Sequence, residues 1–341
     1  MTAGCGEYCL SRLSMTLQWS AVRRYLGLLC LGAATCWSLL SVFVVPSHIV
    51  AATPLPVTET PESREQPFED ITIRGQDAEL AGWWLPAPNP TAELIFVHGA
   101  GSNRTSKFIG SLDFYRMLYD LGISVVAMDL RNHGNSSITD GTIRMGVAEW
   151  PDLIATAAWL DQNHPSQLPR YVLGASMGGS TAIHALHHGL LADGLILLDP
   201  QLDIFDSLTR GAQVSTNLPA SIFSLATQVA IWKYALPSGE NSPLEIAIKL
   251  SLPILLLQNW DDPVTRATFA AALEKGNPSV RLRRVPPINE AAPCLKNKGA
   301  WRTHVAALPC HPDWTRNTIQ QFIEQSSRPA RSRSSEVPTS T

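Results

Sequence analysis

The stretch YVLGASMGGS, from Tyr171 to Ser180, carries more information about this protein than any other part of its sequence. Three apolar residues typical of a buried strand lead into the pattern G-x-S-x-G, and a helical pattern begins at Met177. The glycines two residues to either side of Ser176 let the backbone bend where a Cβ would clash. Such a turn exposes the serine hydroxyl and directs the free N–H groups of the next helix towards it. The stretch therefore predicts a strand, a nucleophilic serine on a tight turn and a helix.

Three other apolar runs lead into polar sequences that contain potential catalytic groups. They are LIFV at 94–97 before HGAG at 98–101, ISVVAMDL at 123–130 with DLRNHGNS at 129–136, and PILLL at 253–257 before QNWDDPV at 258–264. In this order, H-G-x-G, D-x-R-x-H-G-x-S, G-x-S-x-G-G and D-P-V resemble the α/β-hydrolase superfamily, in particular its bacterial esterase, monoacylglycerol-lipase and serine-aminopeptidase-like branches. The resemblance extends from Asp70 to Gln325 and implies an α/β-hydrolase fold, with a mostly parallel sheet flanked by helices and a small helical cap.

Apolar runs alternate with helical patterns through this region, as a parallel sheet with crossover helices requires. An antiparallel hairpin is predicted at 70–74 and 79–85, with further strands at 93–97, 123–129, 170–175, 194–198, 253–257 and 279–285. Helices are predicted near 106–120, 147–162, 177–188, 266–275 and 313–325. Residues 201–251 interrupt the alternation and are too many for a structureless loop. The resemblance implies that this insertion is the cap over the active site.

Hydrolysis through an acyl-enzyme requires an activated hydroxyl, a base, a group that orients the base, and donors for the oxyanion. Ser176 is the predicted nucleophile. The resemblance implies that the backbone N–H groups of Ala100 and Met177 form the oxyanion hole.

Two adjacent carboxylates, Asp261 and Asp262, are candidates for the triad acid, which the resemblance places after a late strand. The superfamily pattern H-G-x-x-D-x-x-V is matched imperfectly, because Gln and Asn occupy its first two positions, 258–259. Counting from this pair selects Asp262, which also begins the frequent ending D-P-V, whereas counting back from Val264 selects Asp261. We predict Asp262. Asp199, at the end of the preceding strand, is a lesser candidate for the acid, and we interpret it rather as a turn or cap residue.

The base is expected in a loop before the last helix. His304, in the sequence WRTHVA, lies where a late loop would present it over the carboxyl edge of the sheet. His311 precedes Pro312 in a sequence typical of a helix start. We therefore predict His304 as the base, with His311 as the alternative.

Cys294 and Cys310 are sixteen positions apart, bracket His304, and follow a stretch that contains Pro286, Pro287 and Pro293. In an oxidising compartment a disulfide between them is expected, and loop entropy predicts a stabilisation of about 3 kcal/mol for a ring of this size.

Residues 25–45 form an uncharged apolar run, which as a helix would be about 31 Å long, close to the thickness of the hydrocarbon core of a bilayer. Arg12, Arg23 and Arg24 precede the run and no comparable positive cluster follows it, so the positive-inside rule places the bulk of the chain outside the cytoplasm. We predict a membrane anchor with the catalytic domain on the periplasmic or extracellular side. A cleaved signal peptide, with small residues at Val50–Ala52 suited to the peptidase, is the alternative.

The predicted organisation follows from these assignments. It comprises a cytoplasmic segment (1–24), the apolar segment (25–45), a linker rich in Pro, Thr and Glu (46–68), the hydrolase domain (69–325) with its insertion (201–251), and a disordered tail (326–341).

Composition excludes some classes of function. The formal net charge is −3 and no run of Lys or Arg suits a phosphate backbone, so nucleic-acid binding is not expected. The sequence contains no P-loop, no dinucleotide fingerprint, no C-x-x-C pair and no H-E-x-x-H. We therefore predict catalysis by side chains alone, without a cofactor or a metal.

These observations predict a serine hydrolase of the carboxylesterase or lipase type, acting on a small-molecule ester or acyl substrate. The same triad can cleave peptides or thioesters, so serine peptidase, aminopeptidase-like and thioesterase activities are alternatives. A catalytically inactive binding module with the same fold is an alternative from another class, because the acid-bearing sequence departs from the superfamily pattern at 258–259.

Overall fold

An eight-stranded sheet forms the centre of the protein, and the structure, a computed structural model, describes residues 6–326, with side chains from Val22 onward. The strands are β1 (Glu69–Arg74), β2 (Glu79–Leu85), β3 (Ala92–Val97), β4 (Ile123–Met128), β5 (Arg170–Ala175), β6 (Gly194–Leu198), β7 (Ile254–Gln258) and β8 (Val280–Arg284). Their order across the sheet is β1-β2-β4-β3-β5-β6-β7-β8, with β2 antiparallel to both of its neighbours and the other pairs parallel. Each predicted strand forms, and no end is displaced by more than one residue.

Helices precede the sheet, connect its strands and follow it. They are α1 (Gly6–Phe43), α2 (Val45–Ile49), α3 (Ser111–Asp120), α4 (Trp150–Asn163), α5 (Met177–His187), α6 (Ile204–Thr216), α7 (Ser224–Tyr234), α8 (Pro243–Lys249), α9 (Ala267–Gly276), α10 (Ala307–Cys310) and α11 (Pro312–Ser326). The first crossover helix, α3, begins later than the predicted residue 106. The reason is that Gly110, just before it, has a φ of 72°, and that Ser106 accepts backbone hydrogen bonds in a turn.

The two faces of the sheet carry separate apolar cores. Successive residues on a strand point to opposite faces, and the central parallel strands are buried on both. The adjacent Trp83 and Trp84 illustrate this: both are buried, one in each core. The parallel strands are therefore held rigidly, and their carboxyl ends form a fixed edge on which loops can present side chains.

The apolar N-terminal run lies within α1. Its segment Val22–Phe43 has 22 residues and a mean hydropathy of 1.9, so it is long and apolar enough to cross a membrane by length and composition. The helix ends at Phe43, and Pro46 lies in the first turn of the next helix, α2. The last turns of α1 contact the insertion, because the Trp37 indole N–H donates to the carbonyl of Ile222 at 3.0 Å.

The segment predicted as a linker lies against the hydrolase domain. Ala51 forms an isolated β-bridge with Thr142. The Asn103 side-chain amide donates to the carbonyl oxygens of Leu55 and Pro56 at 2.9 and 3.2 Å. The segment is therefore part of the folded surface rather than a free spacer.

The insertion between β6 and β7 consists of α6, α7 and α8. Asp203 caps α6 by accepting a hydrogen bond from the Asp206 N–H, and Ser242 caps α8 in the same way. Arg210, on α6, donates to the backbone carbonyl of Asp262 at 3.3 Å, so the insertion abuts the acid-bearing turn. The predicted disordered tail (326–341) lies outside the described residues, apart from Ser326.

Candidate active site

Ser176 lies on the turn between β5 and α5. Its φ of 53° and ψ of −118° place it outside the regions usual for residues with a side chain, as expected for a strained nucleophile turn. A Cβ on Gly174 would collide with the carbonyl of Gly178, and a Cβ on Gly178 would collide with the carbonyl of Val97. Glycine at both positions is therefore a steric requirement of the turn.

The structure brings Ser176, His304 and Asp262 into one hydrogen-bonded chain. The Nε2 atom of His304 lies 3.0 Å from the Ser176 Oγ, and its Nδ1 lies 2.7 Å from the Asp262 Oδ2. All three side chains are buried. When Nδ1 carries the proton that is shared with the carboxylate, the lone pair of Nε2 faces the serine hydroxyl and can accept its proton.

The carboxylate of Asp262 is itself held in place. Its Oδ1 accepts hydrogen bonds from the N–H groups of Val264 and Thr265 at 2.7 and 2.9 Å, and its Oδ2 accepts one from the Thr265 hydroxyl at 2.9 Å. The neighbouring Asp261 is exposed, and its contribution is a backbone carbonyl that accepts from the hydroxyl of Thr303. The structure thus places Asp262, and not Asp261, at the imidazole.

His304 belongs to a loop whose ends are joined by the disulfide between Cys294 and Cys310. The alternative base, His311, directly follows this disulfide, and its backbone N–H donates to the Ala307 carbonyl at the end of α10. Within the described part of the chain, the Nε2 atom of its ring is buried without a hydrogen-bond partner. The structure therefore brings His304 to the nucleophile.

The loop at 98–101 is braced by two buried histidines. The Nε2 atom of His98 accepts from the Leu130 N–H at 3.0 Å, and the Nε2 atom of His133 accepts from the Gly101 N–H at 3.3 Å. Burial lowers the pKa of His98 to about 4 and that of His133 to about 3. Both imidazoles are therefore neutral near pH 7, where they serve as hydrogen-bond bridges between this loop and the end of β4.

The predicted oxyanion donors lie on either side of the serine. Met177 is the first residue of α5, where backbone N–H groups have no partner within the helix. Ala100 follows Gly99, and a Cβ on Gly99 would lie 3.3 Å from the Cβ of Ser176. Among the described residues, no backbone acceptor is found for the N–H group of Ala100 or for that of Met177. Both remain free for an oxyanion.

A cavity of about 690 Å³ opens at Ser176 and His304. Its other walls come from Leu55–Thr58, from the segment 99–109 and from the segment 297–305. Gln201 is the one residue of the insertion among those that line the cavity in the described part of the chain. The apolar residues of the insertion are therefore not among the described residues that line the cavity, whereas the segment before β1 contributes part of its wall.

Two buried charged residues beside the triad were not assigned to the site from the sequence. Asp199, interpreted as a turn residue, accepts hydrogen bonds from the Asn259 N–H and side-chain amide, both at 2.6 Å, and from the Val305 N–H at 2.9 Å. Lys298 donates from Nζ to the carbonyls of Phe108 at 2.8 Å and of Val305 at 3.3 Å. The position of Asp199 at the end of a parallel strand could have indicated that it belongs to the site. Nothing in the local sequence distinguishes Lys298 from other lysines.

Comparison with known proteins agrees with this arrangement. The profile of the family described as "Serine aminopeptidase, S33" matches residues 88–234. Phospholipase YtpA of Bacillus subtilis (strain 168) is 24% identical over 219 residues, which cover 55% of this chain and 82% of that protein. The uncharacterized membrane protein YNL320W of Saccharomyces cerevisiae is 30% identical over 149 residues, which cover 43% of this chain and 50% of that protein.

Solved structures show the same fold. The esterase Pf2001 of Pyrococcus furiosus superposes with a TM-score of 0.63 at 22% identity, covering 81% of this chain and 99% of its own. Est1E of Butyrivibrio proteoclasticus, solved with ferulic acid bound, superposes with a TM-score of 0.54 at 13% identity, covering 75% of this chain and 98% of its own. With its sheet order, its serine turn and these structural relatives, the chain has the α/β-hydrolase fold.

Proposed function

We propose that this protein is a serine hydrolase that cleaves carboxylic esters through an acyl-enzyme intermediate. The observation that carries the proposal is the chain of hydrogen bonds from Ser176 through His304 to Asp262, at 3.0 and 2.7 Å, at the wall of a cavity of about 690 Å³. A cavity of this size is typical of a site for a small organic ligand.

In the proposed mechanism the Nε2 atom of His304 takes the proton of Ser176 while the Oγ attacks the ester carbonyl carbon. The tetrahedral oxyanion accepts hydrogen bonds from the N–H groups of Ala100 and Met177. Collapse of this intermediate breaks the bond to the leaving alcohol, which receives the proton from His304. A water molecule then attacks the acyl group with His304 again as the base, and the acid is released as Ser176 regains its proton. Asp262 stabilises the imidazolium in both halves.

The ester class is supported by the relatives, which include a phospholipase and an esterase. The match to the serine aminopeptidase family favours an amide substrate as the second candidate. The two substrate classes share the nucleophile and differ in the leaving group, so a direct comparison of substrates separates them.

The test is to label the protein with a fluorophosphonate probe and to measure turnover of p-nitrophenyl esters of increasing chain length beside aminoacyl anilides. We expect labelling and ester turnover in the wild type, and neither in Ser176→Ala. Ser221→Ala, an exposed serine of the insertion, is the matched control and should behave as wild type. Faster turnover of the anilides would favour the peptidase. A folded wild-type protein that neither labels nor turns over either class would favour the inactive binding module.

We further infer that α1 anchors the enzyme in a membrane, with the hydrolase domain on the periplasmic or extracellular side. The length of Val22–Phe43, the three arginines (Arg12, Arg23 and Arg24) before the uncharged run at 25–45, and a relative that is a membrane protein support this. Resistance of the membrane-bound protein to a carbonate wash tests the anchor, and digestion of the domain by protease added outside intact cells tests the side. A mature protein that begins after Ala52 would favour the cleaved signal instead.

A further inference from the structure

The peptide that follows the proposed base has an unusual conformation. Val305 has a φ of 49°, in the left-handed region that a β-branched residue seldom adopts. Such a conformation persists where the surroundings hold it in place. Both polar groups of Val305 are bound by buried charged side chains: its N–H by the carboxylate of Asp199 and its carbonyl by the ammonium group of Lys298.

We propose that Asp199 and Lys298 are positioning residues, which clamp the backbone of Val305 from both sides and thereby hold the imidazole of His304 against Ser176. The inference rests on the proposed function, in which His304 is the base. Neither residue of the clamp contacts the reacting atoms, so each acts through the loop that carries His304.

Asp199 joins three segments of the chain. It follows β6, it binds the main chain and side chain of Asn259 after β7, and it binds the loop at Val305. Asn259 stands at the second of the positions, 258–259, where the sequence departs from the superfamily pattern, and a glycine there could not supply the second of its hydrogen bonds. Asn259, whose departure from the superfamily pattern made the assignment of the triad acid less direct, thus provides a hydrogen-bond partner for Asp199.

Lys298 joins the same loop to another wall of the cavity. Its side chain is buried, its Nζ donates to the carbonyl of Phe108, and it lies 3.4 Å from the centre of the Phe108 ring. Removing this side chain would leave two carbonyl groups without their donor. The loop between the disulfided cysteines would then lose its link to Phe108, and the clamp on Val305 would keep only its Asp199 side.

The charges of the clamp are coupled to those of the triad. Burial lowers the pKa of Lys298 to about 7, while Asp199 and Asp262 oppose that change. Burial and the neighbouring Asp262 raise the pKa of Asp199 to about 7, while His304 and the Asn259 donors oppose it. The charged groups around the imidazole are therefore Asp199, Asp262 and Lys298, with the guanidinium group of Arg210 on the far side of Asp262.

The test uses Asp199→Asn and Lys298→Met, with Lys298→Arg as the conservative variant. Asp261→Asn and Lys296→Met, which remove exposed charges from the same two regions, are the matched controls. The measurements are the rate of fluorophosphonate labelling, kcat and KM for one p-nitrophenyl ester, the pH profile of kcat/KM, and the rate of trypsin cleavage after the exposed Arg302.

We expect labelling and kcat to fall by roughly 10- to 100-fold in both clamp variants, because the base is displaced. KM should change little in Asp199→Asn, because Asp199 is not among the described residues that line the cavity, whereas Lys298 lines it and its replacement also alters KM. Lys298→Arg should recover part of the loss, because it restores a positive donor. The pH profile of kcat/KM should differ from that of the wild type in both variants, because each removes a titratable group with a pKa of about 7 beside the imidazole.

The clamp is refuted if both variants label at the wild-type rate with unshifted profiles. Equal losses in the two controls would also overturn it. If Asp199→Asn does not fold, the test uses Asn259→Ala, which removes one hydrogen-bond donor from Asp199. A smaller fall in the labelling rate then supports the clamp, and labelling at the wild-type rate overturns it. Trypsin cleavage distinguishes a failure of the clamp from a failure of the proposed function. In a protein that hydrolyses no ester, faster cleavage after Arg302 in the variants still supports the clamp, and unchanged cleavage overturns it.

Discussion

At the scale of single residues, a serine hydroxyl becomes reactive because three turns from distant parts of the chain converge on it. Ser176 follows β5, Asp262 follows β7, and His304 comes from the loop before α10. Each side chain is aligned by backbone groups of its own turn, as the two N–H groups bound by the Asp262 carboxylate show. The chemistry therefore depends on local turns whose relative positions are set by the sheet.

The two adjacent carboxylates provide a residue-scale prediction. Asp262→Asn should lower kcat by about 10⁴-fold, because a neutral amide no longer fixes the tautomer or stabilises the imidazolium. Asp261→Asn should change kcat by less than about threefold, because its exposed side chain does not reach His304. Steady-state kinetics on one ester, with circular dichroism to confirm folding, provides the measurement. The reverse ranking would contradict the assignment of the acid.

At the scale of elements, the loops around the serine are held in place by buried polar groups and by a disulfide. His98 and His133 are neutral bridges, and the disulfide joins the ends of the His304 loop. These braces make the stability of the site sensitive to pH and to reduction.

Stability should fall as the pH is lowered from about 6.5 towards 4, the range between the ordinary histidine pKa and the lowered values. In this range the unfolded chain binds protons at His98 and His133 and the folded chain does not. Each histidine can then contribute up to about 1.4 kcal/mol per pH unit, so the stability gained above the unfolded pKa is lost on acidification. Thermal unfolding from pH 7.5 to 4.5 measures this. His133→Gln should flatten the dependence, whereas His48→Gln, at an exposed histidine, should leave it unchanged.

Reduction of the disulfide tests the brace on the His304 loop. The paired variant Cys294→Ser with Cys310→Ser should lose about 3 kcal/mol of stability, because the unfolded chain is no longer cross-linked. Dithiothreitol should have the same effect on the wild type and none on the variant. Two free thiols at these positions in protein purified from the exported fraction, detected by mass spectrometry, would argue against the bridge in the cell.

At the scale of the whole molecule, the cavity joins the hydrolase domain to the segment that follows the apolar helix. Leu55, Pro56 and Thr58 line the cavity, and Asn103 binds the backbone of the first two. The insertion contacts α1 through Trp37 and the acid-bearing turn through Arg210. The N-terminal part of the chain therefore contributes to the proposed substrate site as well as to the proposed anchor.

This arrangement predicts that the N-terminal segment influences substrate preference. Leu55→Ala should raise KM several-fold for a long-chain p-nitrophenyl ester, because apolar contact with the acyl chain is lost. KM for the acetate ester should change little, since a short acyl group does not reach this wall. Leu218→Ala, at a similarly exposed leucine of the insertion that does not line the cavity, is the control. An equal effect of both variants on the long-chain ester would contradict the role of the wall.

The strands, the serine turn and the α/β-hydrolase fold could be predicted from the sequence, because they depend on short-range patterns. Apolar runs define the buried strands, and Gly174 and Gly178 are required by contacts within the turn and with the neighbouring strand. The apolar helix was likewise evident from length and composition alone. The assignment of Asp262 and His304 relied on chain order within the superfamily, and the hydrogen bonds at 2.7 and 3.0 Å now support it.

The residues that surround the triad could be identified only in the tertiary structure, because contacts between distant segments of the chain bring them together. The cavity wall at 55–58 lies against a loop some fifty residues later, and no local pattern distinguishes it from a spacer. Asp199 and Lys298 meet at Val305 because β6, β7 and the His304 loop end at the same edge of the sheet. Such contacts between distant residues depend on the order of the strands and on the packing of the loops. The periodicity of the sequence does not specify either of them.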